Sequence, residues 1–297
     1  MQRVTQGMLS TQFLRNLNNN MKGMDNLQNQ LATGRRLNKP SDDPVGISFS
    51  MRYRSELSAN EQYQSNTNSA TSWMSFTDTV MNQAGEVIQK LREMAVKASN
   101  GTNPQAALDT MKAEASQLYE QMVDIGNSQF NGKYVFNGQL TDVKPYTLEN
   151  AVNEESDTEL INFEIGVGVK IAVNVTGNRV FGEQTDTDNM FKITQDFIKA
   201  LGDGDFAAIN KGVGDFDSRM NKFLDVRADI GAKMNRIELM DERLKDINLN
   251  VSSLQSKTED ADMAAVITNL KVAENVYQAS LSTGAKIIQP SLVDFLR

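Results

Sequence analysis

At 297 residues, of which 39% are hydrophobic, the chain can bury one large or two modest cores and is not a disordered tail. A formal charge of -8 argues against a basic face for nucleic acid or an anionic membrane. The absence of both Cys and His removes disulfides, thiolate chemistry, the usual zinc ligands and the commonest proton-transfer side chain, so no cofactor is expected and most catalytic constellations are excluded.

The opening residues MQRVTQGMLSTQF have no basic stretch followed by an apolar core of roughly 7 to 15 residues, and no window reaches about 18 apolar residues. Neither a cleavable signal nor membrane insertion is expected, which leaves the cytoplasm or export by a route that reads no cleavable signal. Apolar residues then recur with helical spacing at Leu14, Leu17, Met21, Met24 and Leu31. This seam runs into TGRRLNKPSDDPVG, Thr33 to Gly46, which contains Pro40, Pro44 and the adjacent carboxylates Asp42 and Asp43. Asp43 directly before Pro44 is an N-cap followed by an N1 proline, while Arg35 and Arg36 are near enough in sequence to neutralise Asp42. A metal or acid-base site would need further convergent ligands, and none is recognisable, so the stretch reads as a rigid corner between two helices.

Beyond the corner, Trp73, Phe76, Val80, Ala84, Val87, Leu91 and Met94 predict a long amphipathic helix. NGTNP, Asn100 to Pro104, stops it, and Leu108, Met111, Ala115, Leu118, Met122 and Ile125 restart the period, giving a helical hairpin. NGKYVFNG, Asn131 to Gly138, reads as turn, strand, turn. From Ile161 to Val175 the odd positions are all Ile, Val or Phe, which predicts one buried sheet face, with Gly166 and Gly168 bending it into paired strands. Thr141 to Met190 carries ten acidic and three basic residues, so it is expected to face solvent, and a Gly/Ser linker in place of Thr141 to Asp188 is expected to leave assembly intact.

Helix returns at FKITQDFIKAL, and Gly202 and Gly204 mark the turn after it. Phe206, Ile209, Val213, Phe216, Met220 and Phe223 continue the pattern, and Ile230, Ile237, Leu244 and Val251 stand seven apart as in a coiled coil, with a phase slip expected at Arg227 and Lys233. A last stripe comprises Met263, Ile267, Leu270, Tyr277, Leu281 and Ile288. Many of the fifteen methionines, such as Met21, Met24, Met111, Met122 and Met240, sit on seams and read as adaptable core packing rather than a Met-lined groove.

The expected fold is mainly α with a β-containing insertion: long antiparallel helices and terminal coiled-coil segments around a small β-rich outer domain. The expected divisions are 1–43 and 261–297 as terminal coiled-coil segments, 44–140 as helical rod with short hairpin, 141–190 as outer domain and 191–260 as returning rod. An isolated amphipathic helix must offset ordering costs of roughly 1 to 2 kcal/mol per residue, so each end needs a partner: the opposite end of the chain, neighbouring subunits, or both. A chain with two such ends around an acidic middle is built to polymerise or to join polymers.

TGRRLNKPSDDPVG resembles the corner of the flagellin superfamily, and MQRVTQGM, PSDDP and NGKYVFNG resemble its junction members, which connect hook to filament. VRADIGAKMNRIE, EDADMA and QASLSTGAKIIQPSLVDFLR resemble the terminal helices of the same axial proteins. The resemblance implies a flagellin-like structural subunit, not an enzyme, exported through the flagellar type III channel to the outside of the cell. Its implied partners are the first hook-associated protein, flagellin, copies of itself in a junction ring and a cytoplasmic export chaperone. The alternatives are a flagellin filament subunit and a secreted type III coiled-coil translocator, which should carry an apolar insertion hairpin that this chain lacks.

Overall fold

The computed structural model describes residues 6–287, with side chains from 7 to 285. Seven helices and two short hairpins follow in chain order: α1 (Gln6–Thr33), α2 (Pro44–Ala98), α3 (Gln105–Gly126), β1 (Gln129–Phe130), β2 (Lys133–Tyr134), β3 (Asn162–Gly166), β4 (Val169–Ala172), α4 (Gly177–Phe181), α5 (Met190–Asp203), α6 (Phe206–Glu259) and α7 (Met263–Ile287). The chain divides into two compact units, a terminal unit of Met1–Ala59 with Ile247–Arg297 and a middle unit of Asn60–Asp246, so the divisions fall inside α2 and α6.

In the middle unit α2 and α6 run antiparallel. Asn60 donates to the Leu244 carbonyl (2.9 Å), Arg227 pairs with Asp78 (3.0 Å) and Arg92 with Asp217, so the partners advance in opposite directions. The buried line of α6 is Ile209, Phe216, Phe223, Ile230, Ile237 and Leu244, seven apart without interruption. The expected phase slip does not occur, because Arg227 and Lys233 flank the line and pair with Asp78 and Asp229. On α2 one line is Asn60, Thr67, Met74, Met81, Ile88 and Ala95, and a second is Ala70, Thr77, Ala84, Leu91 and Ala98. Small residues let the backbones approach: a Cβ on Gly85 would stand 3.1 Å from the Phe223 ring.

Helix α3 packs on α5, with Gln195 donating to the Tyr119 hydroxyl (2.9 Å) and Gln105 to the Leu201 carbonyl (3.1 Å). Gly204, at φ 67, ends α5 in the left-handed conformation that favours glycine. In the first hairpin Asn131 and Gly132 both take positive φ, the two-residue turn that their sequence predicts, though the strand is limited to Lys133–Tyr134.

The insertion has little regular structure. β3 and β4 pair antiparallel, Phe163 opposite Ile171, with a bulge between Glu164 and Gly166. Ile165, Ile171, Val173 and Val175 are buried as their alternation predicts, but Val167 is 88% exposed at the hairpin tip. This stripe does not close on itself. It joins the core of the middle unit with Phe136, Tyr146, Phe181 and Phe191, whose rings lie 4.8 to 5.7 Å apart. The segment is thus part of the core that carries the helices, which argues against the expectation that a linker could replace it.

Its end is tied down by charge. Arg219 of α6 is buried, its Nε donating to the Asp188 carbonyl (2.8 Å) and its guanidinium pairing with Asp188 (2.9 Å) and Asp186 (3.1 Å). Burial pushes the Asp188 carboxyl up, but hydrogen bonds from Lys222 and Ser218 and the charge of Arg219 outweigh it and hold the group below the ordinary carboxylate range.

Candidate functional site: two joined corners and the terminal helices

The terminal unit is built around the corner that follows α1 and the turn that precedes α7. Gly34, at φ 71, closes α1 by donating to the Gln30 carbonyl (2.9 Å). Three strong backbone and guanidinium contacts then cross to the other turn. The Arg36 N–H donates to the Glu259 carbonyl (2.7 Å), the Ala261 N–H to the Gly34 carbonyl (3.0 Å), and the Arg36 guanidinium to the Thr258 carbonyl (2.9 Å). Arg35 and Asp260 form a single antiparallel bridge. The two corners, more than 200 residues apart in sequence, are thereby stitched main chain to main chain.

Glu259 is the hub. Its side chain is 1% exposed and receives Arg35 Nε (3.0 Å), the Ser50 hydroxyl (2.9 Å), Gln255 Nε2 (3.1 Å) and the Arg54 guanidinium. A buried carboxylate costs several kcal/mol unless paired and hydrogen-bonded, and here both oxygens are satisfied from α2, α6 and the corner.

The corner residues divide their work differently from the sequence expectation. Arg35 and Arg36 turn to the Glu259 region, and Asp42 is held by backbone instead, its Oδ2 accepting from the N–H groups of Asn38 (3.0 Å) and Lys39 (2.8 Å) around Pro40. Those two hydrogen bonds keep the Asp42 carboxyl below its ordinary range. Asp43 is the N-cap of α2: its Oδ1 accepts from Val45 (3.1 Å) and Gly46 (3.0 Å), with Pro44 at N1. A Cβ on Gly46 would come within 2.6 Å of Asp43 Oδ2 and 2.8 Å of buried Leu37, so the cap needs glycine there. Asp262 caps α7 in the same way, through Ala264 (3.0 Å) and Ala265 (3.1 Å).

From these corners α1 and α7 run antiparallel and pack along their length. Besides half-buried Gln30 and Glu274, the half-buried positions of α1 are Ser10, Phe13, Leu17, Asn20, Met24 and Leu27, and the covered ones of α7 are Val266, Leu270, Ala273, Tyr277, Ser280 and Gly284. Both sets alternate three and four apart, the seam of a coiled coil. Near its far end the Phe13 ring fills the place of a side chain at Gly284, where a Cβ would stand 2.7 Å from Phe13 Cε1.

The predicted seam therefore splits. Leu17, Met24, Leu270 and Tyr277 face the partner helix, whereas Leu14, Met21, Leu31, Met263, Ile267 and Leu281 are exposed, joined by Met8, Leu9, Val272 and Val276. Ile288 lies outside the described residues. One stripe of each terminal helix is spent within the chain, and apolar side chains around it are left open. Glu259, Ser50 and Arg54 escaped the sequence reading, although EDADMA marked the place of the first.

No cluster of three or more His, Cys, Asp and Glu able to hold a metal occurs among the described residues, and no helix there is long and apolar enough to cross a membrane. The arrangement is one of helical surfaces: two capped corners, a buried ionic hub, and paired terminal helices with an apolar outer face. This is the class of mainly helical structural subunit whose two chain ends pair with each other.

Comparison with known proteins gives the same answer. Residues 4–141 match the bacterial flagellin N-terminal helical region and residues 213–296 the C-terminal helical region, and the chain belongs to the flagellin family. It is 27% identical to flagellar hook-associated protein 3 of Escherichia coli, over 88% of this chain and 91% of that one. To a 30.7 kDa flagellar filament core protein of Treponema maltophilum it is 26% identical, over 89% and 90%. The crystal structure of flagellar hook-associated protein 3 from Legionella pneumophila superposes with a TM-score of 0.63 at 16% identity, covering 70% of this chain and 98% of that one. The chain is a flagellin-family structural protein of the bacterial flagellum, not an enzyme.

Proposed function

We propose that this chain is the subunit that joins hook to filament, working as an adaptor that binds a hook-associated protein on one side and flagellin on the other. The observation that carries the reading is the split seam: α1 and α7 satisfy each other along one face and still present Leu14, Met21, Ile267 and Leu281 outward. Such a face is stable in an assembly and a liability in a free protein. The likeness to hook-associated protein 3 over nearly the whole length favours the junction over other axial positions. Copies of the chain would form a ring through the outward faces. Export through the flagellar type III channel, with a cytoplasmic chaperone covering those faces beforehand, fits a subunit that must reach the outer end of the structure with its apolar surfaces unused.

A second reading, a filament subunit, is kept open by the similar identity to filament core proteins. Deleting the gene separates the two. The junction reading expects hooks that carry no filament and flagellin lost to the medium. Filaments still attached in the deletion strain would overturn it, and long filaments grown from the purified protein alone would favour the second reading.

A further inference from the structure

The methionines divide between the two units in a way that packing alone does not require. Met74, Met81, Met94, Met122 and Met190 of the middle unit are between 0% and 4% exposed. Met8 (64%), Met21 (50%), Met51 (65%) and Met263 (38%) are open to solvent, and all four belong to the terminal unit. None of the described methionines of the middle unit falls in the exposed class. The chain has no cysteine to react first, and its single tryptophan, Trp73, is buried. Among the described residues a two-electron oxidant therefore finds four exposed methionines, two on α1, one at the start of α7 and the fourth near the start of α2.

We propose that Met8, Met21, Met51 and Met263 form a peroxide-sensitive modification site that governs assembly. The inference rests on the reading that the outward terminal faces are assembly faces. Each thioether sulfur takes one oxygen atom from hydrogen peroxide, breaking the O–O bond; the sulfur is oxidised to a sulfoxide and the remaining oxygen leaves as water. The sulfoxide oxygen is a strong acceptor on a surface that must become dry, so it opposes association while costing the free protein little, because the oxygen still meets water there. The buried methionines keep the middle unit folded throughout. The chain would thus leave the assembling pool without unfolding, and reduction of the sulfoxides would return it.

The test uses the full-length protein and hydrogen peroxide. Peptide mapping by mass spectrometry should show the four exposed methionines oxidised at least about tenfold faster than Met74, Met81, Met122 and Met190, with circular dichroism unchanged. Oxidised protein added to cells that have hooks but lack this protein should support filament growth at least about tenfold less often than untreated protein, and methionine sulfoxide reductases should restore it. A variant with all four replaced by leucine should incorporate and ignore peroxide; should it fail to incorporate, reductase rescue of the wild type decides. Uniform oxidation along the chain, undiminished incorporation after oxidation, or loss that the reductases do not reverse would each overturn the inference. Untreated wild-type protein that fails to add to such hooks would instead remove the junction reading, and this inference with it.

Discussion

The middle unit and the terminal unit are built from the same heptad grammar and use it to opposite ends. In the middle unit α2 and α6 are covered by α3, α5 and the insertion, and the large apolar side chains of their seams are buried. In the terminal unit the helices have one covered stripe with exposed apolar side chains around it, and the charged hub at Glu259, not a broad apolar core, fixes the corners. A unit that closes its own surface is finished when it folds; a unit held by its corners with apolar side chains left over fits the proposed role of an end that is completed by binding.

The largest effect is expected from replacing residues 142–188 by a Gly/Ser linker. Ile165, Ile171, Val173, Val175, Val180 and Phe181 would leave the core, at about 1.5 to 3 kcal/mol for each fully buried large side chain, which together rivals a whole domain's stability of about 5 to 15 kcal/mol. The cooperative thermal transition should disappear; a variant that still melts sharply would show that the helices stand without the insertion. Next comes Asp188→Asn, which leaves the buried Arg219 guanidinium without its closest carboxylate and should cost about 3 to 5 kcal/mol by denaturant titration. Because the folded carboxyl lies below its unfolded value of about 3.9, its contribution is present above that pH and is lost as the pH falls through the folded value. Acid titration of the wild type should show this loss below about pH 4, and the Asn variant should lack that part of it.

How much of this was legible follows from which side chains sit on the seams. The line from Ile209 to Val251 is apolar at every seventh residue, so α6 could be read directly, and the insertion's alternation gave the hairpin except at its tip. The first half of α2 could not be read as a stripe, because its covered positions include Ser50, Asn60 and Thr67, which satisfy themselves by hydrogen bonds to Glu259, Leu244 and Tyr63. Periodicity of hydrophobicity is blind to a polar seam. Glu259 was invisible as a hub for a related reason: its partners Arg35, Ser50 and Arg54 lie more than 200 residues away, and nothing local distinguishes it from a surface acid. In α1 the pattern was too rich instead. Leu14 and Met21 form one line seven apart, Leu17 and Met24 another, and sequence alone does not tell which line meets α7.

The hub is smaller than its burial implies, since Arg35 and Arg54 are each about half exposed and keep water when Glu259 is replaced. Glu259→Gln should therefore cost about 1 to 3 kcal/mol, below the full penalty for breaking a buried pair. The loss should be local: amide exchange at Arg36 and Ala261, whose N–H groups cross between the corners, should accelerate while the buried amides of Phe216 and Phe223 keep their protection. Equal acceleration in both units would mean that the corners do not fold separately from the middle.

The smallest effect on the isolated chain, and the sharpest on its function, is expected from Leu14→Asp, set beside Leu17→Asp on the other line of α1. Leu17→Asp places a carboxylate against α7 and should open the terminal hairpin, lowering the helical signal. Leu14→Asp changes a side chain that is 54% exposed, and its stability should stay within about 0.5 kcal/mol of wild type. In an assembly the order reverses in meaning. The carboxylate introduced by Leu14→Asp would meet a neighbouring subunit, desolvating an unpaired charge at a cost of several kcal/mol in every copy of the ring, so incorporation at the hook tip should fail although the monomer is intact. The measurement is purified variant added to cells that have hooks but lack this protein, because that bypasses export. A Leu14→Asp protein that melts like wild type and still seeds filaments would show that the open stripe of α1 faces water in the flagellum, and the contrast between a closed middle and an unfinished end would then rest on α7 alone.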